Sequence, residues 1–162
     1  WEIALKSDNT PSAIALSRQK VRYINPKNSK ENKCEKGAYV VNITSHESKV
    51  TIVASGTEVE LALKVQDKLK ENNIHSKVVS MPCMEIFDKQ PDDFRKDIIE
   101  HDSLVVTLEA GSIMSWQKFI KNKGMNIGID QFGESAPYKE VYNHLGLSEE
   151  KITDFIQKKL RE

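Results

Sequence analysis

Four places along the chain hold residues whose types and spacing could do chemistry. Arg18 lies in Ser17-Arg18-Gln19, just past a short apolar run. A guanidinium there has the fork geometry to grip a phosphate or a carboxylate, or else to bridge to a neighbouring segment. Ser55-Gly56-Thr57-Glu58 joins a strand-like run to a helix-like one, and the free amides and dipole of such a junction can hold an anion. Its single glycine misses the Gly-x-Gly-x-x-Gly spacing, and Glu58 and Glu60 would repel phosphate. A tight turn with Thr57 and Glu60 as a capping box is therefore the stronger reading. Glu109 and Asp130 each end a strand-like run. Side by side they admit an acid–base pair, while capping of the next helix or pairing across a subunit contact explains them with fewer assumptions. The fourth place is Gly128-Ile-Asp-Gln-Phe-Gly-Glu-Ser-Ala-Pro137. Here Gly133 permits a backbone conformation closed to other residues and Pro137 suits the first turn of a helix. The stretch reads as a strand–loop–helix junction at the carboxyl end of a sheet, where ligands and partners of α/β proteins usually sit.

The other reactive side chains lack company. His46, His75, His101 and His144 are scattered, none with a histidine four residues on or a cysteine beside it, so surface or helix-end roles outweigh metal or base roles. Cys34 and Cys83 show no Cys-x-x-Cys spacing, which indicates neither a zinc knuckle nor a redox pair. Cys83 has no base in its neighbourhood to make it a nucleophile, and it reads as buried. Trp116, Phe119 and Phe132 read as core or interface packing rather than a cofactor box.

Positioning these groups requires a scaffold, and 162 residues suffice for one well-buried core. The composition, 38% hydrophobic and 30% charged, is that of a globular domain. Lys plus Arg equals Asp plus Glu at 24 each, so no net field recruits nucleic acid or an anionic membrane. No apolar run is long enough to span a bilayer. The start lacks the order of a secretion signal and an initiator Met, so the chain reads as cut from something longer. Two ordinary thiols suit a cytoplasmic setting.

Along the chain, Trp1–Leu5 reads as the end of a helix and Ser12–Leu16 as a short, largely buried strand. Residues 25–37 are almost wholly polar and aperiodic, and read as a linker. Residues 1–24 are then the remnant of a preceding domain, and residues 38–162 a complete one. Strands are expected at Ala38–Thr44, Val50–Ser55, His75–Met81, Ser103–Glu109 and Met125–Asp130. The first two are separated by a link short enough for an antiparallel pair. Helices are expected from Thr57 to about Asn72 with a stripe of Leu61, Ala62, Val65 and Leu69, at Asp92–Glu100, Ser115–Lys121 and Tyr138–Leu145. A last helix, capped by Ser148, carries Ile152, Phe155, Ile156 and Leu160. Alternating strands and helices predict an α/β fold: a three-layer α/β/α sandwich around a five-stranded mixed sheet, with Ala38–Thr44 antiparallel at one edge.

Five segments in this order resemble one family. They are Ala15-Leu-Ser-Arg-Gln19, Ala54-Ser-Gly-Thr-Glu-Val-Glu-Leu-Ala62, Val79-Ser-Met-Pro-Cys83, Glu109-Ala-Gly111 ahead of Trp116, and Ile127 to Pro137. Together they are similar to the last part of a bacterial-type transketolase: the tail of the pyrimidine-binding domain to about residue 24, then the whole C-terminal domain. The resemblance implies a homodimeric enzyme of the pentose phosphate pathway that moves a two-carbon ketol unit from a ketose phosphate to an aldose phosphate. Its cofactor would be thiamine diphosphate with a divalent cation, Mg or Ca. It implies that Arg18 matches the family's substrate-phosphate arginine. It also implies that the catalytic, cofactor-binding and metal-binding residues lie outside these 162, that Glu109 and Asp130 are structural, and that the chain alone is inactive. Phosphorylated sugars are the expected partners, with neither nucleic acid nor membrane. Three other readings remain: a free-standing small-anion module built on Ser55–Thr57, a pure interaction domain, and the matching domain of another thiamine-diphosphate enzyme. The last would be a dehydrogenase E1 component or a deoxyxylulose-phosphate synthase.

Overall fold

The most apolar runs of the sequence form the middle of a single sheet. The computed structural model describes residues 1–24, 31–99, 102–120 and 124–162. Its strands are β1 (Tyr39–Ile43), β2 (Val50–Ala54), β3 (Ser76–Ser80), β4 (Leu104–Leu108) and β5 (Met125–Ile127), in the order β1-β3-β2-β4-β5. β2 runs parallel to β3 and β4, β4 runs parallel to β5, and β1 lies antiparallel to β3 at the edge. Every residue of β2, β3 and β4 is buried, because helices cover both faces.

One face carries α2 (Glu58–Glu71) and α6 (Glu149–Arg161). Val59, Ala62, Val65 and Leu69 of α2 and Ile152 and Ile156 of α6 close over Ile52, Val78 and Val106. The opposite face carries α3 (Met84–Asp88), α4 (Asp92–Ile98) and a 3-10 turn, Met114–Phe119. There Phe87, Ile98, Trp116 and Phe119 pack on Val53, Val79 and Val105. The short helices α1 (Glu2–Leu5) and α5 (Tyr138–His144) contribute no fully buried residue. This is the expected three-layer sandwich with a five-stranded mixed sheet and one antiparallel edge strand.

α6 begins as its sequence dictates. The Ser148 hydroxyl accepts from the Lys151 amide at 3.4 Å, and Glu149 and Glu150 stand at the positive end of the helix. Phe155 and Leu160 of its predicted stripe remain partly exposed.

Several expectations need correction. Ser12–Leu16 forms no strand and is exposed, since no neighbouring edge pairs with it among the described residues. β1 and β2 do not pair with each other, because β3 enters between them. Thr57 adopts helical angles and makes no side-chain cap bond, so the capping box is absent; its hydroxyl turns to Glu58 instead. α3 has no counterpart in the sequence reading. The Met114–Phe119 element is a 3-10 turn, and β5 ends at Ile127 rather than Asp130. Of the predicted linker, residues 25–30 lie outside the described residues, as do His101 and the predicted helix ends Glu100 and Lys121. Asn32 caps a 3-10 turn, Lys33–Lys36, which closes on Gly37 at φ +80°.

Candidate functional site

Two loci hold the residues singled out by sequence. The first is the leading segment. Arg18 is exposed there, and among the described residues no hydrogen bond or ion pair engages its guanidinium. The predicted alternative of a salt bridge to a neighbouring segment is thus not seen among them. Four residues on, the Arg22 amide donates to Glu60 at 3.4 Å and holds the segment against the first turn of α2. Gln19, Lys20 and Val21 form one wall of a 430 Å³ cleft, opposite Thr57, Glu60 and Tyr142.

The second locus sits at the carboxyl ends of β2 and β4. Ala54 and Leu108 are register partners, so Ser55 and Glu109 leave the sheet side by side. Glu109 Oε2 accepts from Trp116 Nε1 at 3.1 Å and, over a longer 3.4 Å, from the Ser55 hydroxyl. Glu58 follows the Gly56 turn and is only 4% exposed. Its Oε1 accepts from the Thr57 hydroxyl and from the Tyr142 phenol of α5, both at 2.6 Å. Burial raises the proton affinity of Glu109; the Trp116 bond opposes this, the neighbouring Glu58 adds to it, and the Ser55 bond opposes it again. The Tyr142 phenol is pushed up to about 12, first by burial and then by its bond to Glu58.

The 128–137 loop is zipped to this cluster. The Glu109 amide donates to Ile127 O at 3.0 Å and the Ile129 amide to Gly111 O at 2.8 Å. Asp130 accepts from the Ile113 amide at 3.2 Å and so caps the turn into Met114–Phe119. Glu109 and Asp130 are therefore engaged by separate protein donors, as a structural role requires, rather than by each other. Gly133 does not adopt a positive φ; the crowded glycine of the loop is Gly128. Pro137 sits one residue ahead of α5, as its N-cap. Phe132 is 98% exposed, whereas Trp116 and Phe119 are buried in the core.

Chemically this cluster is a set of neutral donors turned onto two carboxylates. It offers no cation for a phosphate, and the Ser55–Thr57 turn faces Glu58 and Glu109, so the small-anion reading loses its site. Cys83 is half-buried and donates toward Glu85 at 3.4 Å, with no basic partner. Burial also pushes the Cys34 thiol up. His46 and His75 are exposed on separate elements, and His144 lies 3.3 Å from Glu134. Among the described residues no three His, Cys, Asp or Glu gather as a metal site. Sequence reasoning missed the Tyr142–Glu58 and Trp116–Glu109 bonds. The available signal was Glu58 itself, placed three residues past a strand end, where a first-turn side chain can fold back over the sheet.

Comparison with known proteins adds to this geometry. A family description, Transketolase-like TK C-terminal domain, matches residues 37–148. The transketolase of Aquifex aeolicus is 35% identical over 161 residues, which cover 98% of this chain and 23% of that protein. The transketolase of Rhodobacter capsulatus is 37% identical over 158 residues, 94% of this chain and 24% of that one. The crystal structure of transketolase from Campylobacter jejuni superposes with a TM-score of 0.70 at 35% identity, covering 76% of this chain and 19% of that chain. The chain spans about a quarter of the length of these curated relatives. No helix of the described residues is long and apolar enough to cross a membrane.

Proposed function

Because the chain belongs to the transketolase family of transferases, through its C-terminal domain, we propose that it works within an enzyme transferring a two-carbon ketol unit between phosphorylated sugars, and that Arg18 grips the substrate phosphate. In this reading residues 1–24 are the tail of a pyrimidine-binding domain, 25–37 a linker and 38–162 the C-terminal domain. The enzyme is a homodimer of the cytoplasmic pentose phosphate pathway. The observation that carries the role of Arg18 is its exposed guanidinium, without a partner among the described residues and adjacent in sequence to Gln19 of the cleft lining. Such a fork of donors is matched to an anion from outside.

Thiamine diphosphate and a divalent cation, Mg or Ca, supply the carbanion chemistry in such an enzyme. The described residues do not fit that group. The one strand-to-helix turn singled out for an anion is backed by Glu58 and Glu109, and no metal-ligating cluster accompanies it. The reading therefore assigns the C-terminal domain packing and subunit contact, the leading segment with Arg18 the phosphate grip, and neither of them a step of carbon–carbon chemistry.

The test is Arg18→Ala in an assembled transketolase containing this domain. Loss of a charge-assisted hydrogen bond should weaken productive binding of phosphorylated sugars by roughly 1.5–3 kcal/mol, seen in kcat/KM. Acceptors without a phosphate should be unaffected. An equal loss with both classes would remove Arg18 from this role.

A further inference from the structure

The Glu58–Glu109 cluster is assigned no part in ketol transfer, yet it joins the two ends of the exposed 128–137 loop. At one end, Glu109 and Gly111 are hydrogen-bonded to Ile127 and Ile129. At the other, Tyr142 of α5 is bonded to Glu58. We propose that Glu109, set beside Glu58, is a proton-sensitive latch for this loop, closed over Tyr142 when Glu109 holds a proton and loosened when Glu109 is ionised.

Geometry supplies the reason. Glu58 is almost fully buried, Glu109 lies half-buried beside the same turn, and among the described residues the hydrogen-bond donors to the two carboxyl groups are neutral: Thr57, Tyr142, Ser55 and Trp116. The surrounding charges are occupied or stand outside. Lys64 lies 3.5 Å from Glu60, His144 pairs with Glu134, and Asp130 holds the Ile113 amide. Lys20 and Lys139 line the outer cleft. Two like charges at a half-dry site without a cation repel, and the cheaper state keeps one neutral. Burial accordingly holds Glu109 above its ordinary range. With Glu109 neutral, no like charge from that side opposes the Glu58 carboxyl group that accepts from the Tyr142 phenol. A carboxyl whose folded pKa lies above its unfolded value leaves the fold most stable below that unfolded value. Stability then falls as pH rises through the folded pKa. The inference stands on this chain alone and is independent of ketol transfer.

Hydrogen exchange of the α5 amides, compared at equal pH between the 162-residue chain and its Glu109→Gln variant, tests the latch. Glutamine keeps the Trp116 and Ser55 bonds and removes the charge. At pH 7.5, exchange in the variant should be severalfold slower than in the parent, because the variant lacks the like charge facing Glu58; at pH 4.5 the two should agree. The same ratio at both pH values overturns the proposal. In a Tyr142→Phe background the difference at pH 7.5 should vanish, and its persistence also overturns it. Should Glu109→Gln fail to fold, the Trp116 indole N–H resonance of the parent chain decides. It should titrate with an inflection above pH 4.5, and a flat profile from 4.5 to 7.5 sinks the latch.

Discussion

A side chain at Gly128 has nowhere to go. Its Cβ would lie 2.4 Å from Ile113 Cγ2 and 2.8 Å from Gly111 O, and the Ile129–Gly111 bond prevents the backbone from backing away. Gly128→Ala should therefore cost roughly 1–3 kcal/mol, as overpacking at a fixed contact does. Gly133 has open space around it and no positive φ, so Gly133→Ala should stay within about 0.5 kcal/mol. Denaturant midpoints at a common m-value rank the two, and equal costs would refute the assignment. Both glycines stand in the same ten-residue motif, and sequence picked out Gly133 because a glycine in a strand-to-helix loop permits a turn conformation closed to other residues. What distinguishes Gly128 is a contact with residues 111 and 113, which no local pattern reports. For Arg18 the sequence supplied only its polar neighbours Ser17 and Gln19, and the structure adds that the side chain is exposed.

The order of strands depends on one buried amide that the hydrophobic pattern passes over. Gln66 lies on the sheet-facing side of α2 and is fully buried. Its Oε1 accepts from Asn42 of β1 at 2.7 Å, and its Nε2 donates to Ser76 O of β3 at 2.8 Å. One side chain thus ties the edge strand, its neighbour and the covering helix. Gln66→Leu keeps the volume and deletes both bonds, and part of the loss is offset by apolar burial. The expected net cost is roughly 1 kcal/mol, concentrated in β1, whose amides should lose exchange protection before those of β2 or β4. A uniform loss across the sheet would mean that the amide merely fills space. Strand and helix identities were legible because β2 and β4 are apolar runs broken only by Thr51 and Thr107, β3 centres on Val78 and Val79 ahead of a stopping Pro82, and α2 and α6 carry helical stripes. Pairing was not legible: the short link between the expected strands Ala38–Thr44 and Val50–Ser55 suggests a hairpin, and only the crossover through α2 shows that β3 takes the place between β1 and β2. The 3-10 turn at Met114–Phe119 carries the same apolar spacing as a helix, so periodicity alone does not separate the two. α3 is a single turn, too short for a period to register.

On the scale of the whole chain, the fold is divided between a core that begins at Ala38 and a leading segment that adds little to it. Both apolar clusters draw their fully buried members from residues 38 to 156. In the leading segment Ile14 is 43% and Leu16 74% exposed; the Arg22–Glu60 bond ties it to α2, and Ile24 packs partly buried at the margin of one cluster. The apolar run in Ser12–Leu16 suits a buried strand, yet such a run makes a strand only where another edge offers its hydrogen bonds. Backbone without such bonds is the preferred target of proteases. Trypsin should therefore cut first at Arg18, Lys20 or Arg22, well before the lysines of α2 and α6. The product should keep a thermal midpoint corresponding to less than about 0.5 kcal/mol of lost stability, the range of changes that touch no core contact. Mass spectrometry of early digests identifies the sites and calorimetry of the cut protein gives the cost. An earliest cut inside α2 or α6, or a clear drop in midpoint after cleavage at Arg18, would show that the leading segment is an integral part of the fold.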